Sequence, residues 1–537
     1  MQQVLMFSFN DRKMDKKSMK RIISLSVFFS ILFFGTGCKK FLSLDPPNAL
    51  SGNNFWKSKT DVENFTNGMY EQFRKAVARE NMKADNGSYN FPFFAFAGEV
   101  RGGMTRENPS IAGTRPYIGD LSNNSLKSLF IDAKRGSYNW YQIFNVARFS
   151  KWEFFYKVIA AANIAVDRVD GVPGLTDAEK KQYKAEAIFL RNMSYFLMVR
   201  QWGDVAYYTD AYHTAPLKRM PMVDVLKNVK ADMQAVKNDL PWTYSDPVFV
   251  AVRGMRGSAI ALLMHVDMWL ASFDAPNAAE YYTDVDKLGD ELRQENGGAY
   301  ALLDLARNGE IFKGRSKEGL FEVPQNANYG ESFGWSYFYD FVYYNRLNPS
   351  QSGYPYVYYD ATYLKAIYPD GESDKRKTYW FDGGGADMYS GSGKSHMTKF
   401  YVSLDPKAID GTSFDASQII FRYTDAILLQ AEALANLGNE QKALSVVNIV
   451  RDRAAAAPLT STGDVLKNDI FFERCRELIG EGHYWYDIVR TRRIIDPAYK
   501  FGYHCTVEQY KAGAWTWPIN KSALTNNPLM TLNNYWE

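Results

Sequence analysis

Cysteine and histidine are scarce in this chain: three and five among 537 residues. Cys38, Cys475 and Cys505 cannot build a disulfide framework. An oxidising compartment permits at most a Cys475–Cys505 bridge, and two free thiols are the alternative. His213, His265, His396, His483 and His504 stand apart, with no His-Glu-x-x-His pair for zinc. There is no Gly-x-Ser-x-Gly elbow and no nucleotide fingerprint. Asp382-Gly-Gly-Gly-Ala-Asp387 lacks the alternating oxygen ligands and closing Glu of a calcium loop and reads as plain loop. The expectation is no catalytic residue, no metal and no cofactor.

Charge of one sign is missing as well. The formal net charge is +3, but residues 1–37 hold six Lys/Arg and two Asp. Beyond them, 57 of the 63 basic residues face 58 of the 60 acidic ones. No basic field is left for nucleic acid. Long apolar runs are absent past residue 37, where none approaches 18 residues. With 46% apolar residues and a mean hydropathy of −0.36, the bulk of the chain suits a water-facing body around a large core.

The amino-terminal residues are of a different kind. Lys16, Lys17, Lys20 and Arg21 precede Ile22–Phe34, a 13-residue apolar stretch broken only by serines. As a helix it reaches roughly 20 Å, short of the roughly 30 Å bilayer core. It reads as the hydrophobic region of a signal peptide. Gly35-Thr36-Gly37-Cys38 follows it directly and resembles a lipobox, with cleavage before Cys38 and acylation of that residue. More than one acyl chain is needed for firm anchoring. The expected organisation is a signal peptide over 1–37, a lipidated tether over 38–59 and a single domain over 60–537.

Helical periodicity dominates that domain. It predicts helices over about Asp61–Arg79, 151–169, a stretch ending near Trp202, Met222–Leu240, Ser258–Phe273, Ala279–Gln294, Tyr423–Leu437, Glu440–Arg453 and Asp464–Ile479. The helix ending at Trp202 opens with Thr176-Asp-Ala-Glu179, a capping box. Helices of this length with short breaks pack as neighbouring pairs. Between about 296 and 417 the periodicity fades and Gly, Tyr and Asn rise. Residues 329–368 hold fifteen aromatics, where the chain's 15% average gives about six. Long irregular stretches of this kind commonly carry binding loops.

Several segments together resemble the SusD/RagB family. Residues 185–204 (AEAIFLRNMSYFLMVRQWGD) are similar to its helix ending in a Tyr/Trp-Gly-Asp turn. Residues 422–434 (RYTDAILLQAEAL), 447–454 (VNIVRDRA), 473–490 (ERCRELIGEGHYWYDIVR) and 517–520 (WPIN) follow in the family's order. His483 stands where the family usually has Arg, and Leu532-Asn533-Asn534-Tyr535 replaces its usual closing segment. Lys39-Lys40 follow Cys38, where surface lipoproteins of this kind often carry acidic residues. The resemblance implies a mainly α, SusD-like fold with tetratricopeptide-repeat-like helix pairs and a loop-rich binding face. It implies a lipoprotein at the outer membrane, facing the exterior, whose partner is a SusC-like TonB-dependent transporter. It implies an oligosaccharide ligand, or a peptide in some members, and no enzyme activity. A secreted glycan hydrolase and a helical-repeat protein scaffold are the competing readings.

The motif charges Arg422, Asp425, Glu432, Glu473, Arg474, Glu477, Glu481, Asp487 and Arg490 are expected to be buried ion pairs that fix helix packing. Ligand contact is expected elsewhere. Trp335, Tyr337 and Tyr339 alternate as on one face of a strand, as do Tyr354, Tyr356 and Tyr358. Such rings can lie against the apolar face of a sugar while their polar tips reach hydroxyls. A second candidate is 91–106 (FPFFAFAGEVRGGMTR), where Gly98, Gly102 and Gly103 permit close backbone approach and Glu99 and Arg101 offer hydrogen bonds.

Overall fold

A computed structural model describes residues 55–78, 83–84, 87–88, 95–107, 117–127, 150–324, 357–390, 397–400, 416–525 and 527–537. The chain divides into a leading unit, Met1–Lys57, and a body, Ser58–Glu537. Eleven helices of the body are numbered here: α1 Lys59–Ala78, α2 Glu153–Arg168, α3 Asp177–Trp202, α4 Met222–Val236, α5 Arg256–Phe273, α6 Ala278–Gln294, α7 Ala361–Ile367, α8 Tyr423–Asn436, α9 Glu440–Arg453, α10 Gly463–Glu477 and α11 Tyr484–Arg490. Four strands matter to the site: β1 Thr105–Glu107, β2 Gly319–Val323, β3 Val357–Tyr359 and β4 Gln418–Arg422. The fold is mainly α, as the periodicity and the resemblance both predict. Among the described residues no helix is long and apolar enough to cross a membrane.

Sequence neighbours pack on one another: α1 on α2, α2 on α3, α3 on α4, α4 on α5, α5 on α6, and α8 on α9. Contacts of α8 with α5, α6 and α10 join the two halves. The Thr176 box forms as predicted. Glu179 N–H donates to Thr176 Oγ1 (3.2 Å) and Thr176 N–H donates to Glu179 Oε2 (2.8 Å). At the other end of α3 every residue from Phe189 to Trp202 is buried, polar ones included. Burial runs round the full circle there, because α1, α2 and α4 all lean on this helix. The α8–α9 turn relies on Gly438 at φ 76°, with Asn439 N–H donating to Leu434 O (2.9 Å). Ala426, Ala431, Ala433 and Ala435 are all buried on α8, where small side chains admit close neighbours.

Two antiparallel strand pairs each take one strand, β2 or β3, from the expected irregular region. In the first, β2 meets β4 with Gly319 opposite Arg422 and Val323 opposite Gln418, interrupted by register shifts. Both strands are buried throughout. In the second, β1 meets β3 with Thr105, Arg106 and Glu107 opposite Tyr359, Tyr358 and Val357. Cys475 and Cys505 are free thiols, the first buried and the second half-buried.

Candidate functional site

The charged motif residues gather behind α8, α10 and α11. Arg422, ending β4, donates from Nε to Glu481 Oε2 (2.7 Å) and from Nη1 to Glu477 Oε1 (2.9 Å) and Glu318 Oε2 (3.3 Å). Glu477 also accepts from Arg376 (2.9 Å) and Arg453. Arg451 and Arg376 donate to Glu473, each at 2.7 Å. Lys399 donates to Glu481 (2.6 Å) and to the carbonyls of Glu477 and Ile479. On the other side Arg474 meets Asp425 (2.8 Å) and Asp487 (3.1 Å), while Arg490 bridges Glu432 and Asp487. The surrounding guanidinium groups hold the Glu473 carboxyl down to about 2 and push that of Glu477 lower still, against the upward pull of burial. These residues hold helices together, as expected, and of them Glu432 and Arg490 also border a cleft.

His483, the departure from the family pattern, joins this lattice. His265, Asp425 and His483 form the one close group of three potential metal ligands among the described residues. His265 Nε2 lies 2.7 Å from Asp425 Oδ2, and the two imidazoles stack with centroids 5.8 Å apart. Burial lowers both histidines, His483 to about 4. Asp425 already takes Arg474, and Arg200 adds positive charge nearby. The group reads as a neutral-histidine plug in the ion lattice.

The segment around Glu99 corrects an expectation. Glu99 is 3% exposed, and its carboxylate accepts from Gly480 N–H (2.9 Å), Gly482 N–H (3.1 Å) and Tyr359 O–H (2.7 Å). Arg101 is 0% exposed and lies over Trp485 (4.2 Å) and Trp517 (5.2 Å). It donates to Asn124 Oδ1 (2.7 Å) and Thr516 O (2.9 Å). Neither side chain is placed to meet a sugar hydroxyl. The glycines do permit close approach, but to the protein itself. A Cβ on Gly98 would lie 1.8 Å from Gly482 O, and one on Gly102 would lie 2.3 Å from the Tyr484 ring.

What this buried anchor supports is the β1–β3 ribbon. Tyr359 points inward to Glu99, so its neighbour Tyr358 turns to the opposite face, where it is half-buried. Tyr358 is directly opposite Arg106, whose side chain is 47% exposed. Arg106 donates to the carbonyls of Gly103 (2.8 Å) and Thr105 (3.0 Å), and its Nε lies 3.4 Å from Asp360 Oδ2. Asp360 in turn caps α7, accepting from Thr362 N–H (2.9 Å). The outer face thus offers a phenol ring, a guanidinium and a carboxylate side by side, held by backbone bonds on both strands. A ring stacks on an apolar sugar face while the charged pair binds hydroxyls. Reading the sequence missed Arg106 and Asp360, because only the strand pairing brings residues about 250 positions apart together. Trp335, Tyr337, Tyr339, Tyr354 and Tyr356 lie outside the described residues, as does Cys38.

A second concavity of about 200 Å³ lies where β2 ends, lined by Tyr70, Phe73, Arg74, Phe321, Glu322 and Pro324. Glu322 is buried there, accepting from Arg315 N–H at 2.6 Å, and burial raises its carboxyl to about 7 against the pull of Arg315 and Ser417.

With this geometry in hand, likeness to known proteins is informative. The family model described as the SusD family matches residues 333–536. A second, described as starch-binding and associating with the outer membrane, matches 114–267. A crystal structure of a SusD homolog from Bacteroides thetaiotaomicron is 40% identical, with a TM-score of 0.78, covering 90% of this chain and 100% of that one. A SusD-like protein of Formosa agariphila is 26% identical over 525 residues, covering 89% of this chain and 93% of its own length. A laminarin-binding SusD-like protein has the same fold at 19% identity and a TM-score of 0.63, over 89% of this chain and 99% of that one. The chain belongs to the SusD/RagB family.

Proposed function

We propose that this protein is a lipid-anchored surface receptor that binds oligosaccharides without cleaving them and delivers them to a SusC-like TonB-dependent transporter in the outer membrane. The observation that carries the binding half is the β1–β3 ribbon. Its outer face sets Tyr358 beside Arg106 and Asp360, and β3 lies within the aromatic-rich stretch 329–368. Membership of the SusD/RagB family and the description of its matched model support the glycan class and the membrane association. The Gly35-Thr36-Gly37-Cys38 segment supports the anchor, and the balanced charge of the body supports a neutral ligand over nucleic acid.

The test is incubation of the purified protein with a panel of oligosaccharides and peptides, reading both binding and released products. Glycan binding without product is expected. Product release would make the protein a hydrolase, and peptide binding alone would place it with peptide-binding members of the family. Mass measurement on the membrane fraction checks acylation at Cys38. Co-isolation with a barrel protein from detergent-solubilised membranes checks the transporter.

A further inference from the structure

Away from the ribbon, a cleft of about 310 Å³ opens where five helices meet. Met268 and Ser272 of α5, Tyr282 of α6, Glu432 and Asn436 of α8, Lys467 and Phe471 of α10, and the chain from Arg490 to Arg493 line it. Four of these side chains are cationic and one is anionic. The one carboxylate, Glu432, is already committed to Arg490, which also holds Asp487. Among the described residues Lys467 reaches only Asp464 (3.0 Å), whose side chain is 94% exposed. Arg492 and Arg493 have no carboxylate within ion-pair distance among the described residues. Arg492 donates one bond, to Ser272 O (2.7 Å), out of the five a guanidinium has. Arg493 lies over Phe471, 3.9 Å from the ring centroid, with Tyr499 at 5.2 Å. Its Nε is buried and has no hydrogen-bond partner among the described residues.

We propose that this cleft is a second ligand site, selective for a small molecule carrying an oxyanion, either a carboxylate or a sulfate ester. Its volume is at the lower end of the roughly 300–1,000 Å³ of small-ligand sites, enough for about one sugar ring. A guanidinium fixed on a ring keeps its edge free for the two parallel bonds that carboxylate and sulfate accept. The fixed position also removes part of the ordering entropy that binding would otherwise lose. The Tyr282 hydroxyl adds a donor on the wall. The lining thus favours negative charge twice over, through surplus cations and through unused N–H groups. No residue of the cleft belongs to the β1–β3 ribbon, so the two sites can fail separately.

Calorimetric titration of the purified protein with galacturonate, galactose 6-sulfate, inorganic sulfate and galactose tests this. The charged sugars should bind at least about tenfold more tightly than galactose, since hydrogen bonds to charged groups contribute at least that factor. Arg493→Gln and Lys467→Gln should each weaken the charged sugars by roughly tenfold and several-fold respectively, with thermal melting unchanged for Lys467→Gln. Tyr358→Ala should leave them unaffected. The two sugars distinguish the carboxylate from the sulfate source. Sulfate binding as tightly as either sugar also supports the site and assigns recognition to charge alone. Equal binding of galactose, full retention in Lys467→Gln and Arg493→Gln, or no binding of any probe up to about 20 mM, where single-anion affinity should show, would overturn it.

Discussion

The ion lattice behind α8, α10 and α11 and the β1–β3 ribbon use arginine in opposite ways. Arg422 is 2% exposed and meets three carboxylates. Arg106 stands half in water, meets one carboxylate at 3.4 Å and spends its shorter bonds on backbone carbonyls. A guanidinium buried among carboxylates depends on them for its bonds, so their type and place are fixed. An exposed one tolerates many neighbours, because water completes its bonds. The recognisable motifs therefore fall in the scaffold, apart from the ligand face proposed on the β1–β3 ribbon. Shared letters identify the frame and say little about which nutrient it holds.

Four outcomes break or sharpen this contrast. The largest is Arg422→Met, which leaves Glu477, Glu481 and Glu318 short of a cation and should destabilise by about 3–5 kcal/mol in urea unfolding. The same change at Arg106 should move the midpoint little. The second concerns Glu322, a buried carboxyl with no salt bridge among the described residues, in the strand pair that carries Arg422. Its native value is raised from 4.5 to about 7, so its proton favours the native state. That stability is complete below about pH 4.5 and lost as pH rises through about 7, a fall of about 3 kcal/mol. Urea unfolding of Glu322→Gln across this range should lack the fall, and equal slopes in both proteins would contradict it. Third, Trp335→Ala should weaken ligand binding several-fold without unfolding, since a stacked ring contributes about 0.5–1.5 kcal/mol beyond its area. The smallest is the coupling of Tyr358 with Arg106 in a double-mutant cycle, about 0.2–1 kcal/mol as for other cross-strand pairs.

Much of the frame was legible in the sequence. The helices Asp177–Trp202 and Glu440–Arg453 match their predicted ends, and the others differ by one to four residues at one or both ends, the largest difference falling where a last turn tightens to a 3₁₀ form at Lys237–Asp239. Period and caps are local signals, and the helices follow them. The motif charges were legible as buried pairs, because so many opposite charges on apolar helices have nowhere else to go. Strand pairing was not legible. β1 with β3 and β2 with β4 join residues about 100–250 positions apart, and no local pattern encodes a partner. That is why Arg106 and Asp360 were missed and only Tyr358 stood out. Glu99 and Arg101 were assigned to the ligand because glycines beside charges read alike whether they face a ligand or the body. Here the body supplies Gly480, Gly482, Trp485 and Trp517 as partners. The approach of His265 to His483 was invisible for the same reason.

The most direct test of the central claim is an equilibrium titration of a bound oligosaccharide against the wild-type protein and a Trp335→Ala/Tyr358→Ala double variant, with melting temperatures measured in parallel. An affinity loss of about tenfold or more with unchanged melting is predicted, from two lost stacking contacts. Full affinity in the double variant would contradict it, because the nutrient would then be held by something other than the aromatic face.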